Sequence, residues 1–119
     1  MIENIEHQAA TFNALADPTR LKLLNLLSNQ KEPDALCVSA LTGLLGISQP
    51  AVSQHLRILK SAGLVKGQRR GYHVHYSVDL EAVKRCQELI DGIISPGKQT
   101  EGDPCSNCNQ GKTKKVSKA

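Results

Sequence analysis

The first part of the chain repeats apolar residues at the spacing of α-helices. Near the N-terminus an apolar residue recurs every three or four positions, at Ile2, Ile5, Ala9 and Phe12. This spacing predicts an amphipathic helix. Asp17 and Pro18 then indicate a new helix, because Asp caps helix N-termini and Pro fits the first helical turn. The leucine-rich stretch 21–27 gives that second helix a wide buried face.

The middle of the chain predicts two further short helices in close succession. The first spans Leu36 to Leu45 and ends at Gly46. The second begins after Ser48, a favourable N-cap residue. Laid out at about 100° per residue, its apolar and polar side chains occupy separate arcs. The apolar arc holds Val52, Leu56 and Leu59, and the polar arc holds Gln49, Ser53, Arg57 and Lys60, with Gln54 and Ser61 beyond it.

A β-hairpin and a last helix complete the pattern. Strand-favouring residues begin at Leu64 and return over 73–77, with the turn predicted over 68–71. Asp79 then caps a fifth helix, whose apolar residues recur at helical spacing. They are Leu80, Val83, Cys86, Ile90, Ile93 and Ile94. Because the two end helices lie outside the middle segment, we expect them to form the contact surface of a homodimer.

These elements predict a mainly α fold with a small β-hairpin, confined to residues 1–95. Residues 96–119 are rich in Gly, Gln, Ser, Asn and Lys, which is typical of a flexible tail, and they hold two of the four cysteines. The chain has no signal-peptide pattern and no apolar run near the ~20 residues that span a bilayer. We therefore expect a cytoplasmic protein with reduced thiols and no membrane partner.

Charge is distributed unevenly along the chain. Residues 36–78 carry five Lys or Arg and no Asp or Glu. Residues 1–35 carry three basic and five acidic side chains, and residues 79–119 carry seven basic and six acidic ones. A carboxylate-free segment that combines a polar helix face with a basic hairpin suits a polyanion, and double-stranded DNA is the leading candidate.

Within this segment, the polar arc and the hairpin supply candidate DNA contacts. Gln, Ser and Arg side chains can hydrogen-bond base edges in a major groove, and the free N–H groups of the helix N-terminus favour an anion. Arg69 and Arg70 lie at the predicted hairpin tip, within reach of phosphates or a minor groove. His55 lies beside the apolar arc, and we interpret it as structural. The candidate contacts are Ser48, Gln49, Ser53, Gln54, Arg57, Lys60, Arg69 and Arg70.

Over roughly residues 8–94 the chain resembles the ArsR/SmtB family of bacterial and archaeal winged-helix repressors. The resemblance rests on Ala14-Leu-Ala-Asp-Pro-Thr-Arg-Leu-Lys-Leu-Leu24, on Ser48–Val65 and on Arg69-Arg-Gly71. It implies a homodimeric winged helix-turn-helix that needs no cofactor to bind its operator and leaves it when an effector binds. Two such helices related by a twofold axis read an imperfect inverted repeat. The resemblance places Gln49, Ser53, Gln54 and Arg57 against the DNA, and Arg69, Arg70 and Tyr72 in the wing.

The metal sites known in that family match this chain only in part. One uses Cys-Val-Cys at the start of the third helix, where this chain has Cys37 but Ser39. Another uses Asp and His on the fifth helix, where this chain has Asp79. The positions expected to complete that second site hold Glu81, Gly92 and Ser95. The resemblance therefore leaves both ligand sets incomplete.

The remaining cysteines offer a different thiolate site. Cys105 and Cys108 form a Cys-x-x-Cys pair, in which two thiolates can reach one soft ion. Cys37 supplies a third thiolate if the tail folds back onto the domain. Three thiolates suit As(III) or Sb(III), and three or four suit Cd(II), Pb(II), Hg(II) or Zn(II). Cys86 lies on the apolar stripe of the fifth helix, so we expect it to pack in the core.

Three classes of function remain compatible with these residues. The leading hypothesis is a repressor released from DNA by a thiolate-bound metal or metalloid such as As(III). The second is a thiol redox or reactive-sulfur sensor, in which cysteines form a disulfide or polysulfide. The third is a DNA-binding regulator without a thiol effector. We expect no enzyme, because the chain has neither a phosphate-binding Gly loop nor a His pair at i, i+4. His73 and His75 share a strand face, and the resemblance makes them wing residues.

Overall fold

The computed structural model describes residues 5–31 and 36–95, in which helices pack around a small antiparallel sheet. The helices are α1 (Ile5–Leu15), α2 (Pro18–Ser28), α3 (Val38–Leu45), α4 (Gln49–Ser61) and α5 (Leu80–Ile93). The strands are β1 (Leu36–Cys37), β2 (Val65–Arg70) and β3 (His73–Val78), paired in the order β1-β3-β2. This architecture confirms the predicted mainly α fold with a β-hairpin after the fourth helix. The division into a domain and a tail stays a prediction, because residues 96–119 lie outside the described residues.

Three helices begin where their capping residues predict. At the start of α2, Asp17 Oδ2 accepts hydrogen bonds from two backbone N–H groups, at 2.9 and 3.1 Å. At the start of α4, Ser48 Oγ accepts from the Ala51 N–H at 3.3 Å. Asp79 Oδ1 accepts in the same way from the first turn of α5. These caps satisfy N–H groups that a helix cannot pair internally, so the short helices start at defined residues.

The third helix begins two residues later than predicted. Leu36 and Cys37 form strand β1, where they lie opposite Tyr76 and His75 of β3. The side chain of Gln30 also holds this strand, since its Nε2 donates to the Tyr76 carbonyl and its Oε1 accepts from the Leu36 N–H, both at 3.0 Å. The apolar spacing around Leu36 fits a helix, but pairing with a strand far along the chain prevails.

The hairpin turn is shorter than predicted. Strand β2 continues to Arg70 and β3 starts at His73, so only Gly71 and Tyr72 connect them. Gly71 has a φ of 65°, a left-handed conformation that glycine adopts without steric strain. Arg69 and Arg70 therefore lie on the end of a strand beside the turn, and not within the turn as predicted.

A core of aliphatic side chains lies between the helices and the sheet. Its most deeply buried members are Leu23, Leu41, Val52, Leu56, Leu59 and Leu64. Three of these six belong to α4, which packs against α1, α2, α3 and β2. Because the whole apolar arc of α4 is buried, the helix is held in one orientation and presents its polar arc outward.

Candidate nucleic-acid interface

Helices α3 and α4 form a helix-turn-helix whose second helix is exposed along its polar side. Val52, Leu56 and Leu59 on the inner side of α4 are 0–2% exposed. On the outer side Gln49, Gln54, Arg57 and Lys60 are exposed, Ser53 is half-buried, and the cap Ser48 is exposed. The structure thus brings the predicted helix contacts to one surface, with amide and hydroxyl groups near the N-terminus and cations further along. This surface has the donors and acceptors that can read base edges in a major groove.

The β2–β3 hairpin extends as a wing beside this helix-turn-helix. Arg69, Arg70 and Tyr72 are exposed, and Tyr72 at the turn has 96% of its surface accessible. Gly67 in β2 lies against the Tyr76 ring, and a Cβ at this position would approach the ring to 3.0 Å. The absence of a side chain at Gly67 therefore lets the ring lie close to β2. The wing residues predicted from the sequence lie together at the far end of this hairpin.

The guanidinium of Arg20 joins α4 to the first two helices. Its Nε donates to the Ala14 carbonyl at 2.7 Å, and its Nη1 lies 3.3 Å from Nδ1 of His55. The same ring nitrogen lies 3.8 Å from Asp17 Oδ2. The hydrogen bond from the Arg20 N–H lowers the pKa of the Asp17 carboxyl, and the nearby His55 acts in the same direction, although desolvation opposes them. His55 faces this network, as its structural interpretation implies.

The role of Arg20 is not predicted by the sequence pattern. The capped helix start showed that Arg20 follows Asp17 by three residues, which places its N–H at the cap. Nothing in the local pattern identified His55, in another helix, as the neighbour of its guanidinium. Such a contact depends on how α2 and α4 pack, and helical spacing does not report on that.

The two cysteines within the described residues have different surroundings. Cys37 is a free, half-buried thiol at the end of β1. Cys86 is only 8% exposed and packs in the core as predicted, and desolvation there raises the pKa of its thiol. Over residues 5–31 and 36–95, no three His, Cys, Asp or Glu side chains are grouped so as to hold a metal ion. The site built from Cys37, Cys105 and Cys108 stays a prediction, because the last two lie outside the described ranges.

Helices α1 and α5 leave apolar side chains exposed. These are Ile5, Leu80, Ile90, Ile93 and Ile94, each at least 44% exposed. A groove of about 510 Å³ lies between the two helices, lined in part by Thr11, Cys86 and Ile93. Exposed apolar residues in such a group are typical of surfaces that contact another macromolecule.

Comparison with known proteins assigns the chain to a family. The family model described as "Bacterial regulatory protein, arsR family" matches residues 17–66, from the cap of α2 to the start of β2. A helix-turn-helix transcriptional regulator of Methanocaldococcus jannaschii is 41% identical over 93 residues, which cover 77% of this chain and 100% of that protein. The chain belongs to the ArsR family.

Other ArsR-family proteins extend the comparison. A transcriptional repressor of Synechocystis, described as an SmtB homologue, is 43% identical over 77% of this chain and 67% of its own length. An arsenic resistance transcriptional regulator of Pseudomonas putida is 33% identical over 74% of this chain and 66% of its own length. The ArsR family is one of transcriptional regulators, and this ArsR-family chain is therefore similar to proteins that act on DNA.

Solved structures agree with the fold of the ArsR-family chain. An ArsR-like transcriptional regulator from Rhodococcus has a TM-score of 0.65 at 26% identity, covering 75% of this chain and 80% of that one. A winged helix-turn-helix DNA-binding domain from Mycobacterium bovis, described as homodimeric, has a TM-score of 0.60 at 30% identity, covering 75% and 79%. These likenesses confirm the winged helix-turn-helix prediction. None of the helices in the described ranges combines the length and apolar character needed to cross a bilayer.

Proposed function

We propose that the chain is a homodimeric repressor that binds double-stranded operator DNA and leaves it when thiolates bind a metal or metalloid ion such as As(III). The observation that carries the DNA-binding part is the exposed polar side of α4 beside a basic wing, in a segment without Asp or Glu. In this proposal Gln49, Ser53 and Gln54 contact base edges, because their short polar side chains lie near the N-terminus of α4. Ser48 places that N-terminus against a phosphate, and Tyr72 contacts the DNA from the turn of the wing.

Phosphate neutralisation supplies much of the proposed affinity. The cations that can reach the backbone are Arg57, Lys60, Lys66, Arg69 and Arg70. A dimer that contacts phosphates with most of these side chains should lose about a thousandfold or more in affinity between 50 and 200 mM salt. The test is a salt titration of binding to an imperfect inverted repeat from the promoter region of the chain's own gene. A flat titration would reject this surface as the one that binds DNA.

The proposed dimer contact is the exposed apolar surface of α1 and α5. A second copy of the chain suits this surface, because each copy supplies the same apolar side chains and the same groove. The homodimeric winged helix-turn-helix domain of Mycobacterium bovis supports this choice. Two recognition helices related by a twofold axis then require half-sites about 10 bp apart, or a multiple of that spacing. Footprinting on operators with altered half-site spacing measures this directly.

The proposed effector site uses Cys37, Cys105 and Cys108. Two features support it: Cys37 is a free thiol beside α3, and relatives of this chain include an arsenic resistance regulator. An ion that ties the tail to Cys37 displaces α3, on which α4 packs, and so weakens DNA binding. Operator binding should be measured with and without saturating As(III), for the reduced protein and for Cys105→Ser. Equal operator affinity of the two proteins in As(III) would reject the tail as part of the site.

A further inference from the structure

The side chain of Arg20 makes polar contacts with two helices other than its own. Arg20 lies on α2, and its Nε donates to the Ala14 carbonyl in the last turn of α1 at 2.7 Å. Its Nη2 lies 3.5 Å from the carbonyl oxygen of Asn13 in the same turn. Its Nη1 lies 3.3 Å from Nδ1 of His55 on α4. The planar guanidinium, whose N–H groups point in fixed directions, therefore bridges α1 and α4.

The contact with His55 has a defined donor and acceptor. A guanidinium only donates, so Nδ1 of His55 accepts and the proton of the neutral ring lies on Nε2. Asp17 Oδ2 is farther from the same nitrogen, at 3.8 Å, and already accepts two N–H groups at the start of α2. Arg20 and His55 are both half-buried, so the hydrogen bond between them is stronger than one in open water.

This hydrogen bond restrains α4 in a way that its apolar contacts do not. The buried side chains of α4 are Val52, Leu56 and Leu59, and apolar burial is non-directional. A hydrogen bond, in contrast, weakens steeply when its angle falls below about 120°. The contact with Arg20 therefore limits how far α4 can slide or turn relative to α1.

In the proposed homodimer, the position of α4 relative to α1 sets the distance between the two recognition helices. Helix α1 belongs to the proposed dimer contact, and a twofold axis applies any displacement of α4 to both subunits. Successive base pairs are about 3.4 Å apart along the DNA, so a shift of about 1.7 Å in each subunit changes the half-site spacing by one base pair. Small movements of α4 are thus enough to change which operators the dimer fits.

We propose that Arg20 is a positioning residue for operator binding, which holds α4 at a fixed offset from α1 and so sets the half-site spacing that the dimer accepts. The inference rests on the proposed function, because it requires both the dimer contact through α1 and the reading of DNA by α4. Arg20 need not touch the DNA in this role, since it acts through His55.

The test measures affinity for operators whose half-sites are moved together or apart by one base pair. The unmodified chain should prefer the spacing of its promoter sequence by about tenfold or more, since a displaced half-site loses base contacts. Arg20→Ala should reduce this preference by about 3- to 10-fold, the factor that one net hydrogen bond contributes. Arg20→Lys should reduce it as much, because one ammonium group lacks the fork that spans two helices. Lys22→Ala removes an exposed cation from the same helix and, as the matched control, should keep the full preference.

His55→Leu is a second variant, which removes the acceptor and leaves Arg20 in place. It should reduce the spacing preference as Arg20→Ala does, and the double variant should reduce it no further, because both changes break the same contact. All these variants keep the backbone N–H of residue 20 that Asp17 accepts. The cap of α2 is therefore preserved, and melting temperatures report on the fold separately.

An unchanged spacing preference in Arg20→Ala and His55→Leu would overturn the inference. A loss of affinity that is equal for every spacing would also overturn it, because Arg20 would then only stabilise the fold. Both results leave the proposed function standing, since the unmodified chain still selects its operator. If the unmodified chain binds no inverted repeat, or binds every spacing equally, the proposed function fails and the inference fails with it.

Discussion

Helices α4 and α5 are of nearly equal length, with 13 and 14 residues, but they differ in what covers their apolar sides. All three residues of the apolar arc of α4 are at most 2% exposed within one chain. In α5 only Ala82 and Cys86 are buried, whereas Ile90 and Ile93 are 48% and 44% exposed. The apolar side of α4 is therefore fully covered within one chain, and its polar side remains exposed to a polar partner. The apolar side of helix α5 stays exposed within one chain, and it is the surface that the proposed homodimer would cover.

The largest expected effect is the loss of stability on substitution of a residue on the buried side of α4. Leu56→Ala removes a fully buried side chain from the core, so the free energy of unfolding should fall by about 2–5 kcal/mol. Urea unfolding measures this, with Gln54→Ala on the exposed side of the same helix as control. The control should change stability by less than about 0.5 kcal/mol. Similar losses in the two variants would mean that α4 is not divided into a buried and an exposed side.

A substitution on the apolar side of α5 should weaken dimerisation more than it destabilises the fold. Ile90→Asp places a charge on the proposed dimer surface. The dimer dissociation constant should therefore rise about 30-fold or more, which corresponds to a loss of about 2 kcal/mol in the free energy of dimerisation. Sedimentation at several concentrations measures the dissociation constant. Lys84→Asp, an exposed position on the same helix outside the groove, is the matched control and should leave it unchanged. A variant that dissociates no more readily than the control would place the dimer contact elsewhere.

Substitutions on the polar side of α4 should change DNA binding and leave the stability of the fold unchanged. Arg57→Ala removes an exposed cation, so we expect operator affinity to fall about tenfold and the salt dependence to weaken by about one charge per subunit. Thermal stability should not change. Lys22→Ala removes an exposed cation from α2, outside the proposed surface, and should affect neither property. Equal losses for the two variants would show that the DNA responds to total charge and not to α4.

The smallest expected effect is the pH dependence of stability that arises from the cap of α2. The Asp17 pKa is lower in the folded chain, chiefly because of the Arg20 N–H hydrogen bond, so the ionised carboxylate stabilises the fold. This stabilisation is present above the ordinary pKa of Asp, and is lost as the pH falls below about 4. Asp17→Asn keeps a good cap without the charge. The two proteins should differ in melting temperature at pH 7 and converge in acid; a constant difference would contradict the assignment.

The sequence predicted α4 and the helix caps better than it predicted contacts between distant parts of the chain. The caps at Asp17, Ser48 and Asp79 depend on residues two or three positions away, and all three helices start where expected. The strand at Leu36–Cys37 depends on β3, far along the chain, so helical spacing misassigned it. The burial of His75 Nδ1 without a hydrogen-bond partner depends on tertiary packing, so no local pattern predicts it. The proposed dimer contact likewise depends on surfaces that form only after folding.

The contact between Arg20 and His55 matters for any attempt to change the DNA sequence that the proposed surface binds. One guanidinium contacts His55 on α4 and also two carbonyl groups in the last turn of α1. If α4 reads the operator as proposed, its outward residues are the ones to exchange for a new target sequence. Keeping His55 in such variants preserves its contact with Arg20, and with it the link between α4 and the first two helices.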